Sequence, residues 1–313
     1  MSGGSKRRPP QVVVTCARGS SAHAATFGKH LIERYIGIPV AEAAPNIASV
    51  YGRRLRLENQ LFLAISQSGR SDDLVALASS AKAAGALTVA IVNATDGPLV
   101  AGMRHRAADR RRSGAQRRSE QDVRRDARRP AAPDARPGRT TQASAAPSTR
   151  LPDRLTAAAE LDWSELVDTL VGTKSLVAIG RGPTLAIARE ASLKLKETCR
   201  LHAEAFSGAE FLHGPVALVV TALSRPDVHA DRRCGAHGMR AARNQPHRKR
   251  HRAAHHRARC FRRGRLPTVA SDHPETDAVC LIQSFYAMLI RLAERLGTDV
   301  DRPRHLRKVT RTR

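Results

Sequence analysis

The sequence predicts an α/β protein with parallel sheets, laid out as two similar halves, and three observations lead there. Short β-branched runs stop at Gly/Ser turns and hand over to segments whose apolar residues have helical spacing. This strand-turn-helix unit recurs within the first hundred residues, and the same order returns after an Arg-rich interruption. Such alternation makes a parallel sheet covered by helices on both faces.

In the first half, residues 11–16 (QVVVTC) read as a strand, followed by a Gly/Ser turn and helical spacing over residues 23–35. Residues 61–65 (LFLAI) repeat the plan, stopping at SQSGRSDD before a helical pattern over 74–84, and residues 86–92 (ALTVAIV) form another buried strand. In the second half, residues 166–171 are helical, 175–179 (SLVAI) a strand, and Arg181-Gly182-Pro183 a turn before a long helix from Thr184 to about Thr198. His213-Gly214-Pro215 then leads into a run over 216–220 that reads as a buried strand. Residues 277–296 have helical spacing, and 299–313 form a polar tail without a period.

The net charge of +26 is concentrated in two blocks. Residues 104–150 hold fourteen Arg against five acids, and residues 225–265 hold thirteen Arg and one Lys against two acids, so the blocks carry +9 and +12 of the total. With few apolar side chains they cannot offset the entropy of ordering a backbone, and they are expected to supply no sheet strand. Their loss from the fold is expected to expose apolar faces around residues 87–92 and 216–220. One reading makes them basic inserts that bind nucleic acid, although only Phe261 offers a stacking surface. The other makes them out-of-frame translations of a GC-rich gene, where shifted codons yield Arg, Ala, Pro and Gly. Five scattered cysteines without a CxxC pair argue against a zinc site or a disulfide framework and fit a reducing cytoplasm. No apolar stretch is read as approaching the roughly 20 residues that cross a bilayer.

Two turns carry candidate chemistry. Cys16-Ala17-Arg18-Gly19-Ser20-Ser21 and Ser66-Gln67-Ser68-Gly69-Arg70-Ser71 both join a strand to a helix, where backbone N–H groups, hydroxyls and the helix dipole suit a phosphate. Taken alone, Ser20 or Ser21 could equally cap its helix. Two such turns in adjacent βα units point to a ligand site, because doubly wound sheets bind at the carboxyl ends of their strands.

These residues resemble the SIS (sugar isomerase) family, in particular the isomerase half of glutamine:fructose-6-phosphate aminotransferases. CARGSS and ISQSGRSDD are similar to that family's CGTS and SQSGET loops; residues 189–197 (REASLKLKE) resemble EGALKLKE. Residues 202–206 (HAEAF) and 210–215 (EFLHGP) resemble HAEAY and GELKHGP, and 299–308 resemble the closing DVDQPRNLAK. The resemblance spans about residues 11–100, 155–220 and 268–312 and implies two tandem SIS domains, each a flavodoxin-like three-layer αβα sandwich, both left incomplete by the basic blocks. The implied organisation is a tail over 1–10, a first domain over 11–103, an aberrant segment over 104–150, a second domain begun over 151–224, a second aberrant segment over 225–265, and a closing helix and tail over 266–313.

Carried over by residue, the resemblance implies that Ser20, Ser21, Ser66, Gln67, Ser68 and Ser71 bind the phosphate and sugar. Moving a proton between C1 and C2 of an amino-sugar phosphate needs a carboxylate, for which Glu197 is the candidate. Lys194, three residues earlier on the same face, could set its charge state. His213 can shuttle the ring-opening proton, and Lys308 can form an imine with an open-chain carbonyl. Without the motif, Glu197 and Lys194 would be a surface ion pair and His213 a turn residue. No metal or organic cofactor is implied.

The resemblance also implies a hexose or hexosamine 6-phosphate as substrate and a homodimer, since the family residue matching His213 reaches the neighbouring subunit's site. A membrane partner is not expected, and nucleic acid is the weaker partner reading. The family's glutaminase domain opens on a cysteine after the initiator Met, whereas this chain reads Met1-Ser2 and soon enters a strand. Glutamine hydrolysis is therefore not expected, and the reading moves toward isomerising glucosamine-6-phosphate deaminases. The alternative is a sugar-phosphate-binding SIS module without catalysis, which would need the serine loops and not Glu197, Lys194, His213 and Lys308.

Overall fold

In the computed structural model, residues 9–103, 105–108, 149–218, 222–223 and 266–301 are described, and they fall into two compact units, one on either side of residue 114. The first unit runs β1 (Val13–Ala17), α1 (Ser20–Tyr35), β2 (Val40–Glu42), α2 (Asn46–Ser49), β3 (Leu61–Ser66), α3 (Asp72–Ala83), β4 (Leu87–Val92), α4 (Pro98–Ala101) and β5 (His105–Ala108). All five strands are parallel, in the order β2-β1-β3-β4-β5. From β1 the chain winds to β2 on one side, and from β3 to β4 on the other. Right-handed crossovers then put α1 and α3 on opposite faces of the sheet.

The side chains bear this out with a period of two. Phe62 and Ala64 of β3 join Val14, Cys16, Ala90 and Val92 in a core closed by Leu74 and Leu77 of α3. Leu63 and Ile65 point the other way, into a smaller cluster with Ala17, Ile91 and, from α1, Ala22 and Ala25. Buried on both faces, β3 has no polar position to offer, which is why LFLAI is apolar throughout.

The second unit contains α5 (Leu151–Ala159), α6 (Ser164–Val171), β6 (Ser175–Gly180), α7 (Pro183–Cys199), β7 (His202–Ser207), α8 (Gly208–Leu212), a 3-10 turn (Pro215–Leu218), β8 (Ala222–Leu223) and α9 (Pro274–Arg295). Its parallel sheet has the order β7-β6-β8. Trp163, Leu166 and Leu170, together with Leu176 of β6 and Leu195 of α7, pack against Phe285, Met288, Leu289 and Leu292 of α9. The start of α9 is fixed by Arg154, whose guanidinium donates to Asp277 Oδ1 at 2.6 Å, Ala270 O at 2.7 Å and Thr276 Oγ1 at 3.1 Å.

Four sequence readings need correction. The first basic block does supply a strand: β5 pairs in parallel with Val89–Val92 at the sheet edge. Backbone pairing satisfies the open N–H and C=O groups of β4 without needing apolar side chains. The exposure expected of β4 is confined to one face: Thr88, Ala90 and Val92 are fully buried, the last two in the core closed by α3, while Leu87, Val89 and Ile91 are only partly buried. The run after Gly214 is not a buried strand at its start; Pro215 has no N–H to give to a ladder and opens a 3-10 turn, with Val216 39% exposed. Finally, α9 is long and apolar enough, by length and composition, to cross a membrane, but most of that stretch is buried inside the second unit, as the core helix of a packed domain. The remainder of the two basic blocks and the tail beyond residue 301 lie outside the described residues.

Two outcomes follow from this packing. Leu195→Ala empties a fully buried site beside the chain's single tryptophan, and should cost about 2–5 kcal/mol of stability, read as an earlier urea transition in Trp163 emission. Cys16, Cys199 and Cys280 are free and buried, and burial pushes the Cys16 thiol up to about 12 and that of Cys280 to about 11, with Cys199 raised as well. The reactive thiolate is therefore scarce at pH 8, and these three cysteines should resist a thiol reagent until the protein is denatured. A fast native-state reaction lost in Cys16→Ser would contradict this.

Candidate functional site

In the first unit the two serine turns leave neighbouring strands at the same edge. Ala17 of β1 lies beside Ile65 of β3, so the chain passes from these partners directly into Arg18-Gly19-Ser20 and Ser66-Gln67-Ser68. This is the point where the strand order reverses, the crevice that doubly wound sheets use for ligands.

The first turn is made by Gly19 at φ 55°, ψ −134°, a conformation open to glycine, and α1 starts at Ser20 with no side chain capping it. The capping reading of Ser20 and Ser21 is thus not what the fold adopts; both half-buried residues sit in the first turn itself. The second turn is held from within. Ser66 Oγ accepts from Gly69 N at 3.1 Å and Ser68 Oγ from Arg70 N at 3.3 Å, which leaves both O–H groups able to donate. Ser71 is the N-cap of α3 but makes no side-chain cap bond. The segment after β4 braces this turn: Ala94 N donates to Gln67 O at 3.1 Å and Leu99 N to Gly69 O at 3.1 Å. Gly97 is needed for that approach, since a Cβ there would lie 2.8 Å from Ser68 O.

One cation ties the two turns together. Arg18 donates from Nε at 3.1 Å and from Nη2 to Asp73 Oδ2, across from the β1 turn to the first turn of α3. Sequence reasoning took the Asp72-Asp73 pair as part of the turn and missed this bond, because nothing in the run SDD distinguishes exposed Asp72 from buried Asp73.

The second unit repeats the turn geometry with different residues. Gly182 has φ 57° and ψ −129°, close to Gly19, and again follows an arginine between a parallel strand and a long helix. On that helix Lys194 Nζ lies 2.8 Å from Glu197 Oε2 and 3.9 Å from Glu190 Oε1. Glu190 is buried and accepts from the Tyr286 hydroxyl of α9 at 2.9 Å. Lys194 therefore stands between two carboxylates, one half-buried and one deep, the latter held by a residue nearly a hundred positions away. The spacing of Glu190 from Lys194 was visible in the sequence; its partner Tyr286 was not. His213 caps the C-terminus of α8, its N–H donating to Glu210 O at 3.0 Å, with its ring exposed. Ahead of it, Ser207 and Glu210 form a reciprocal capping box that draws the Glu210 carboxyl below its usual range.

The candidate residues thus divide. Ser20, Ser21, Ser66, Gln67, Ser68 and Ser71 belong to the first unit, and Lys194, Glu197 and His213 to the second, while Lys308 lies outside the described residues. The structure brings Lys194 and Glu197 into contact; it gives His213 no bond to either. Among the described residues there is no cluster of His, Cys, Asp and Glu suited to a metal ion.

Known proteins resemble this chain in sequence and in fold. The sequence profile of the SIS domain matches residues 9–108. A glutamine:fructose-6-phosphate aminotransferase (isomerizing) from Symbiobacterium thermophilum is 33% identical over 95% of this chain, which spans 51% of that relative's length. Among solved structures, a candidate phosphosugar isomerase from Silicibacter pomeroyi DSS-3 is 33% identical, with a TM-score of 0.72 over 93% of this chain and 89% of that one. The C-terminal domain of glucosamine-fructose-6-phosphate aminotransferase from Francisella tularensis, 20% identical, shares the fold with a TM-score of 0.70 over 94% of this chain and 87% of that one. On the profile match and the one-third identity sustained over nearly the whole of a solved relative, the chain belongs to the SIS domain family.

Proposed function

We propose that this chain binds a hexose or hexosamine 6-phosphate and moves a proton between C1 and C2 of its open-chain form. The observation that carries the reading is the convergence of two serine turns at the carboxyl ends of β1 and β3. In this reading the N–H groups opening α1 and α3, the hydroxyls of Ser20, Ser21, Ser66, Ser68 and Ser71, and the Gln67 amide hold the phosphate and sugar. The domain read over residues 11–103 extends through β5 to residue 108, and residues 151–224 with 266–313 form a second, interrupted by the second Arg-rich segment.

Glu197 is the base. It takes the proton from C2 of glucosamine 6-phosphate and returns it at C1, and water then releases ammonia from C2 to leave fructose 6-phosphate. Lys194, 2.8 Å away, orients the carboxylate and balances its charge. His213 opens the sugar ring, and Lys308 is the amine for an imine with the open-chain carbonyl. The deaminating direction draws only on the sugar and solvent, and the proton transfer requires neither a metal nor an organic cofactor. A phosphorylated sugar does not cross membranes unaided, so such a substrate implies a cytoplasmic protein. The dimer belongs to the same reading, with His213 serving the neighbouring subunit.

Release of ammonia and fructose 6-phosphate from glucosamine 6-phosphate by the full chain tests the activity. Glu197→Gln should lower kcat roughly 10²-fold or more with KM little changed, the usual scale for losing a general base. Undiminished turnover in that variant, or none by the parent in either direction, would remove the reading. Subunit exchange between Glu197→Gln and His213→Ala chains should restore part of the activity, and its failure to do so would count against a shared site.

A further inference from the structure

The bond between Arg18 and Asp73 poses an electrostatic question. Asp73 sits in the first turn of α3, where N–H groups and the helix dipole attract an anion, and its side chain is only 4% exposed. Its Oδ1 already takes the Leu74 N–H at 2.9 Å. An ionised carboxylate behind the SQSG turn would therefore compete with a phosphate for the same donors and repel it through protein rather than water. Its field reaches under the β1 turn as well: after burial, the Asp73 charge is the largest influence holding the Cys16 thiol up at about 12. Arg18 answers this charge with two donors to one oxygen, while its own side chain stays 55% exposed and Nη1 has no partner among the described residues. By contrast, Arg70 pairs with Asp96 at 2.8 Å with both side chains largely in solvent, where an ion pair has little effect.

We propose that Arg18 and Asp73 form a charge-compensating clamp between the two serine turns: the pair fixes their spacing and cancels the carboxylate, and it leaves one guanidinium nitrogen free to meet a phosphate oxygen. Arg18 is thus a specificity residue for phosphorylated over neutral sugars, and Asp73 the residue that positions it. The inference rests on the phosphate reading of the serine turns given above. An arginine suits this double duty because its planar fork can serve a carboxylate and a phosphate together, which a lysine ammonium cannot do with the same geometry.

Equilibrium dialysis of the full chain against inorganic phosphate and against glucosamine 6-phosphate tests it. Arg18→Ala should weaken both by about tenfold or more, the effect of leaving a buried carboxylate uncompensated next to an anion site. Arg18→Lys should recover part of the loss. Part of it should return in Arg18→Ala/Asp73→Asn, where the opposing charge is gone but the guanidinium's own contact with phosphate is still missing; a purely structural clamp would instead be as broken in the double variant. In turnover, the single variant should raise KM and leave kcat within about threefold, as for an interaction made equally with substrate and transition state. Wild-type affinity in Arg18→Ala, or no recovery on removing the Asp73 charge, overturns the clamp. If Arg18→Ala fails to fold, Arg18→Lys and the double variant decide the matter in the same assay. Absence of binding by the parent chain itself would overturn the phosphate reading along with the clamp, whereas parental binding unchanged by these variants overturns the clamp alone.

Discussion

Parallel pairing of β1 with β3 is the constraint on which the candidate site depends. The ladder from Val13 beside Leu61 to Ala17 beside Ile65 makes both strands end together, and each ends in a serine turn. Were the pair antiparallel, the two turns would lie about 16 Å apart, five residues at about 3.3 Å each, and no single phosphate could touch both. The amino ends are held in register by one side chain, Gln60, whose Oε1 accepts from Gln11 N at 2.9 Å and Val12 N at 3.0 Å. Burial on both faces then makes the register costly to change, since slipping one residue would exchange Phe62 with Leu63 between two cores of unequal size.

Much of this was legible in the sequence because it follows from local pattern. Four of the five apolar runs read as strands became strands within two residues of their expected limits, the run after Gly214 being the exception, and the helices over Ser20–Tyr35, Asp72–Ala83, Pro183–Cys199 and Pro274–Arg295 follow the apolar spacing. Three elements not anticipated lack such a signal: β2 and α2 have three and four residues, and β7 mixes His202 and Glu204 with alanines. Neighbours make those strands, and a neighbour cannot be read from one segment. The strand at His105–Ala108 is the sharpest case, because composition argued against it and an open ladder edge overrode composition.

The site shows the same division. Serines in Gly-bearing turns, and a carboxylate three residues from a lysine, can be found by spacing alone. Partners distant in sequence cannot: Asp73 for Arg18, Tyr286 for Glu190, and the segment around Gly97 that supports Ser68 all depend on the topology. These contacts also give the two units different characters. The first holds its polar groups near the end of a sheet, in turns braced by backbone bonds. The second buries Glu190 against a tyrosine inside a helical layer, where removing the hydroxyl would leave the carboxylate short of a donor.

The long-range closure of the second unit has a consequence for its biogenesis. Trp163, Leu170, Leu176 and Leu195 share one core with Phe285, Met288, Leu289 and Leu292 of α9, which is encoded more than seventy residues after the end of α7. A nascent chain emerging from the ribosome therefore exposes these apolar faces until α9 has followed, while the first unit already has all five of its strands. Vectorial synthesis would give one half a long head start and leave the other dependent on chaperone shelter during the interval, when exposed apolar surface is prone to aggregation.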